Sequence, residues 1–153
     1  MKLLKAKPDY VPCPVVEGDE LFPNGIFEFN ITQIIAYIKS SNLAYEEIAL
    51  SDVPRGYSSL NESHVDTADT TVPVILAEIA PNRYNLIDGH HRVEKVRREG
   101  AAKITAYKLS VEQHIGFLTS HKAYVEYIDY WNGKCRLLRK EGVSLKGKQK
   151  NKQ

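Results

Sequence analysis

Tyr84-Asn85-Leu86-Ile87-Asp88-Gly89-His90-His91-Arg92 is the stretch on which the reading of this chain turns. Leu86-Ile87 closes an apolar run of strand character, and Asp88-Gly89 ends it as a tight turn. Val93 and Val96 then mark a short helix, with Gly100 as its C-cap. The layout is strand, turn, helix. A helix N-terminus offers unpaired N–H groups and a partial positive charge, so this turn is a candidate anion site. Gly89 has no side chain to keep a phosphate from the backbone. His90 and His91 add donors, and Arg92 carries a guanidinium that can fork onto two phosphate oxygens. Gly89, His90, His91 and Arg92 are therefore the candidate phosphate-binding residues, and Asp88 and His91 the candidate catalytic ones. Asp88 has three readings: a helix cap, a partner that holds His or Arg, or a ligand to a divalent metal on the phosphates. Asp-Gly is also the commonest of turn dipeptides, and a solvated polar turn would look the same.

Outward from the turn, Val72 to Ile79 reads as a buried strand and Pro81-Asn82-Arg83 as the turn of a hairpin to Tyr84–Ile87. Lys103 to Leu109 is a third strand. Ser110 with Gln113 forms a capping box and opens a long helix with Ile115, Leu118, Val125 and Ile128 inward. Gly116, or the polar stretch Thr119 to Lys122, is placed to break that helix in two. Upstream, Ile31, Ile34, Ile35 and Ile38 fall on one helical face, and Asn30 with Gln33 caps a helix over 31–39. Val11 to Val16, interrupted by Pro12 and Pro14, is confined to an edge strand or extended arm. Residues 46–71 show no periodicity and read as a long loop. The fold class expected is α/β (α+β): a mixed, antiparallel-rich sheet with helices packed on it.

The order Pro73-Val-Ile-Leu, then Tyr84 to Arg92, a short helix to Gly100, and Lys103-Ile-Thr-Ala-Tyr107 resembles the core of the ParB/sulfiredoxin superfamily. The turn Asp-Gly-His-His-Arg is similar to that of the free serine kinase branch. The resemblance spans about 40 residues. It implies a nucleotide ligand (ATP, ADP or CTP), with Mg²⁺ as companion, coupled to phosphoryl transfer, NTP hydrolysis or, in proteins labelled nucleases, DNA chemistry. The sulfiredoxin branch places a cysteine where His90 stands, so that reductase chemistry is not expected. The kinase branch uses a glutamate shortly after a proline ahead of the first helix. Here that region reads Phe22-Pro23-Asn24-Gly25, and the nearest acid is Glu28. The partitioning clamp needs a helix-turn-helix domain, for which the residues after Leu109 show no pattern.

The 153 residues suit one domain, and the 42% hydrophobic and 26% charged fractions are those of a globular chain. No apolar run reaches the ~20 residues that cross a bilayer, and Met1 to Pro8 is basic without a signal-peptide core. A cytoplasmic protein with no membrane partner is the expectation. Cys13 and Cys135 are too few for a disulfide scaffold. From Lys134 to Gln153 eight Lys/Arg stand against one acid, Glu141. This gives a domain over 1–133 and a basic tail over 134–153, the tail being the candidate DNA contact. Glu62, His64 and Asp66 are metal-ligand types in a polar stretch. Tyr124, Tyr127, Tyr130 and Trp131 share roughly one helix face, which reads as core or interface, or else as a base-stacking surface beside the basic tail.

Overall fold

The computed structural model describes residues 2–24, 26–54 and 60–142. Two strands, β1 (Leu21–Asn24) and β2 (Phe27–Asn30), pair antiparallel, and α1 (Ile31–Ser40) follows directly. Then come β3 (Glu46–Ala49), a 3-10 turn at Leu50–Asp52, and α2 (Glu62–Thr67). The hairpin β4 (Val74–Ala80) and β5 (Arg83–Asp88) leads into α3 (His90–Arg98) and β6 (Lys103–Leu109). The chain closes with α4 (Val111–His114), a 3-10 turn at Ile115–Phe117, and α5 (His121–Lys140).

The main sheet has the order β3-β6-β4-β5, with β4 and β6 parallel and the other pairs antiparallel. It is the mixed α/β arrangement expected. Both faces are covered, which explains why β4 reads as an unbroken apolar run. Val74 and Leu76 point to one side, with Val93 and Val96 of α3. Ile75 and Ala77 point to the other, against Ile31, Ile34 and Ile38 of α1 and the aromatic face of α5. Full burial of such an aliphatic side chain is worth about 1.5–3 kcal/mol.

The caps form as their residue types suggest. The Asn30 side chain accepts from the Gln33 N–H (3.1 Å), while its own amide donates to Pro14 O and Asp19 Oδ2. Ser110 and Gln113 make a complete capping box. The helix it opens does break, at the Ile115–Phe117 turn, and Ser120 caps its successor through the Ala123 N–H.

Two expectations are corrected. The stretch 46–71 is not one loop: it holds β3 and α2, residues 55–59 lying outside the described part. β3 left no periodic signal because it is a four-residue edge strand whose Glu46 and Glu47 are both exposed. The boundary at 133 falls inside α5, which continues to Lys140 and buries Cys135 completely. Gly133 is an exposed helix position, so its glycine costs some stability without ending the helix. Residues 134–140 thus belong to the domain, and 143–153 lie outside the described residues. Of the two readings of the tyrosine and tryptophan face, core holds for Tyr124, Tyr127 and Trp131, which are buried, while Tyr130 is exposed. Cys13 and Cys135 are both buried and unbridged. No helix among the described residues is long and apolar enough to cross a membrane.

Candidate functional site

The turn at Asp88–Arg92 sits where β5 ends and α3 begins. Gly89 caps the helix with φ 106° and ψ 25°, in the left-handed region that favours glycine. A Cβ there would lie 2.5 Å from Val74 Cγ1 and 3.1 Å from the Arg92 guanidinium. Val74 is fully buried in β4, so the turn is wedged against the sheet and only glycine fits. Val93 N–H is the first of the helix to find a partner, donating to Gly89 O at 2.9 Å. The N–H groups of His90, His91 and Arg92 have none among the described residues, as expected for a first turn.

These residues line an open cleft of about 470 Å³. Glu20, Leu21 and Phe22, at the start of the β1–β2 hairpin, also line it, as do His64, Ala68, Asp69 and Val72, in and after α2. All five residues from Asp88 to Arg92 are therefore brought to the cleft.

Their side chains are more committed than their sequence suggests. Arg92 donates to Asp88 Oδ2 (2.8 Å), Val72 O (3.2 Å) and Pro73 O (3.0 Å). Three of its five donors are thus spent inside the protein, and its side chain is only 14% exposed. It pins α3 to the segment entering β4. Its first role is structural, where the sequence suggested a free fork for phosphate. His91 Nε2 accepts the Asn61 N–H (3.2 Å), and the ring meets His64 edge to face. That bond occupies Nε2. His90 stacks on Phe22 with ring centroids 5.4 Å apart, and burial holds its pKa below the usual imidazole value. A flat aromatic pair therefore forms one edge of the cleft.

Glu20 is the residue that sequence reasoning missed. Its backbone is tied to the start of α1: its carbonyl accepts the Ile31 N–H (2.8 Å), and its N–H donates to Thr32 Oγ1 (2.7 Å). Its carboxyl lies beside that of Asp88. Partial burial, then the neighbouring Asp88, raise its pKa above the ordinary carboxylate value, against the pull of Arg92. Glu28, the acid nearest in sequence to the expected glutamate position, faces elsewhere: its carboxylate accepts from Thr119 Oγ1 (2.7 Å). Asp69 is held below the usual range by hydrogen bonds from Thr71 and, more weakly, by Arg92 and Lys95. Glu62, His64 and Asp66 do not converge. Glu62 makes a bidentate pair with Arg98 (2.6 and 2.9 Å), and no cluster of three metal-ligand side chains occurs among the described residues.

Replacing Arg92 by alanine is expected to lower stability by about 2 kcal/mol, the scale for losing charge-assisted bonds that leave partly buried acceptors unpaired. Lysine is expected to restore little of this, because a point charge cannot reach two carbonyls and a carboxylate together. Urea denaturation of both variants measures it, and an unchanged midpoint for Arg92→Ala would refute the structural role. No protein-family model matches this chain, and no curated protein matches it either.

Proposed function

We propose that the chain is a nucleotide-phosphate-binding protein of ParB/sulfiredoxin type, with its ligand in the cleft at Asp88–Arg92 and accompanied by Mg²⁺. The observation that carries this reading is the wedge at Gly89. A left-handed glycine at the strand–helix junction starts α3 beside a cleft of about 470 Å³, where the first-turn N–H groups of His90, His91 and Arg92 have no partners among the described residues. That volume is within the ~300–1,000 Å³ of small-molecule sites. The Phe22–His90 pair offers a flat apolar edge for a base, and the resemblance of Tyr84–Arg92 to the superfamily's turn points the same way.

The charge of the cleft argues for the metal. Glu20, Asp69 and Asp88 face Arg92, whose charge is already shared with Asp88. Free phosphate would meet a net negative mouth. Hard divalent cations take carboxylate and phosphate oxygens together. Glu20 and Asp88, side by side, fit as two such ligands, with water and phosphate oxygens for the rest. The cation would neutralise charge on the phosphates when bound. A carboxylate of the pair could also orient a hydroxyl or water toward the phosphate, which would suit phosphoryl transfer or NTP hydrolysis. Asp88 takes that role in preference to His91, whose Nε2 is engaged by Asn61.

Thermal shifts with ATP, ADP and CTP, each with Mg²⁺ and with chelator, test the proposal. At a hundredfold excess over Kd a ligand stabilises by about 2.7 kcal/mol, or roughly 5–10 °C for a chain of this size. The shift is expected with Mg²⁺ and not with chelator. Glu20→Gln with Asp88→Asn is expected to weaken the dependence on Mg²⁺. No shift with any nucleotide in either condition would end the reading.

A further inference from the structure

The N-terminal arm does not wander from the domain. Leu4 makes a two-way bond with the Asn132 side chain: its N–H donates to Oδ1 (2.7 Å) and its carbonyl accepts from Nδ2 (2.8 Å). Trp131 Nε1 donates to Lys2 O (3.1 Å), and the Lys7 N–H donates to the Tyr124 hydroxyl (2.9 Å). Tyr10 then stacks on Tyr124 with centroids 3.7 Å apart. The arm therefore runs antiparallel along α5, held by backbone groups, which leaves the lysine side chains of Lys2, Lys5 and Lys7 exposed. Arg136 and Arg139 follow Asn132 at i+4 and i+7, on the side of α5 that the arm follows, and Lys140 is their neighbour.

Ion pairs hold some of the molecule's cations, while Lys39, Arg83, Lys95, Lys122 and Lys134 are in none among the described residues. Arg92, Arg97, Arg98, Lys103 and Lys108 each face a carboxylate. Lys2, Lys5, Lys7, Arg136, Arg139 and Lys140 are exposed, and none is in an ion pair among the described residues. Asp9 and Glu141 oppose them within 2–10 and 134–142, and Glu126 and Asp129 are exposed acids on the stretch of α5 between. Two chain ends that look unrelated in the sequence thus build one positive face.

We propose that this composite face binds the phosphate backbone of duplex nucleic acid. From Tyr124 to Lys140, α5 is about 24 Å long at 1.5 Å per residue, and a duplex carries one charge per ~1.7 Å. Six contacts fit that length. A single strand is disfavoured because stacking platforms are missing: Tyr124, Tyr127 and Trp131 are buried, and Lys134 covers the Tyr130 ring. An anionic membrane is disfavoured because the apolar face of α5 is spent in the core.

The test is fluorescence anisotropy of the full chain with a 20-base-pair mixed-sequence duplex, between 50 and 200 mM salt. Six phosphate contacts predict a loss of roughly a thousandfold in affinity over that range, and three contacts roughly fortyfold. The triple variant Lys2→Gln, Lys5→Gln, Lys7→Gln is expected to shift from the first slope toward the second. Residues beyond 142 add equally to both proteins, so the difference is the readout. The variant keeps every backbone bond of the arm, so its melting temperature and any nucleotide-induced shift are expected to be unchanged. Equal salt slopes for the two proteins, absence of binding at 50 mM, or stronger binding to phosphatidylserine vesicles than to duplex would each overturn the proposal.

Discussion

Gly89→Ala is expected to destabilise the protein by about 3–4 kcal/mol, more than any other single methyl added in the cleft. Two costs combine. An L-residue in the left-handed region costs about 1–2 kcal/mol, and overpacking a filled site costs a further ~1–3 kcal/mol. The second cost is specific here. The new Cβ would stand 2.5 Å and 2.9 Å from two atoms of Val74, which is held in the sheet with no exposed surface. It would also press on the Arg92 guanidinium and so on the Asp88 pair. Val74→Ala removes the 2.5 Å contact with Cγ1 but keeps the 2.9 Å contact with Cβ and leaves the backbone strain. The double variant should therefore be more stable than the sum of the two single losses by about 1–2 kcal/mol, a coupling within the range for residues in contact. Denaturant unfolding of the four proteins closes the cycle. A Gly89→Ala midpoint equal to wild type would mean that the turn relaxes freely, and the wedge would lose its meaning for the site.

The turn was legible because it is local. Strand, glycine and helix start are written in consecutive residues, and their backbone geometry follows from residue type. The same holds for the Asn30 and Ser110 caps and for the apolar run of β4. What the sequence withheld depends on contacts between distant segments. Glu20 is brought to Asp88 across 68 positions (88 − 20) by the hairpin and by its backbone bonds to the start of α1. A single acid just ahead of β1 carried no sign of that. Arg92 shows the converse. Its residue type promised a phosphate fork, but Val72 O, Pro73 O and Asp88 lie within its reach, and three-dimensional proximity decided which acceptors it meets. The long helix was misjudged at its end for a related reason: a run of Lys and Arg looks like a tail until Cys135 and Trp131 are seen to be buried on its other face.

The second large effect is on acid stability. Below pH 6.5 the protein is expected to lose about 3 kcal/mol as the pH falls to 4, because His114 is buried as the neutral ring. Its Nε2–H donates to Glu78 O at 2.7 Å, and the Tyr127 hydroxyl donates to the same carbonyl at 2.8 Å. Its Nδ1 is buried with no partner among the described residues, and Phe29 and Tyr127 pack edge-on against the ring. Burial, outweighing those bonds and the nearby Glu112, lowers its pKa from 6.5 to about 4. The sign follows from proton counting. Above pH 6.5 the ring is neutral in both states and contributes no slope. Between 6.5 and 4 the unfolded chain binds a proton that the folded one refuses, so the unfolding free energy falls by ~1.36 kcal/mol per unit. Below 4 both forms are charged and the slope from this group ends. Burial lowers the His90 pKa as well and acts in the same direction, while the raised Glu20 carboxyl acts against it. A His114→Gln variant separates them. Urea unfolding at pH 7.5 and pH 5 should differ by about 2 kcal/mol in wild type and by much less in the variant. Should His114→Gln fail to fold, the ring's proton resonances in the wild-type protein decide the matter: they are expected to show no titration above pH 5. A midpoint near 6.5 would mean that the His114 ring reaches water and that the tyrosine–carbonyl–histidine cluster behind β4 is not sealed.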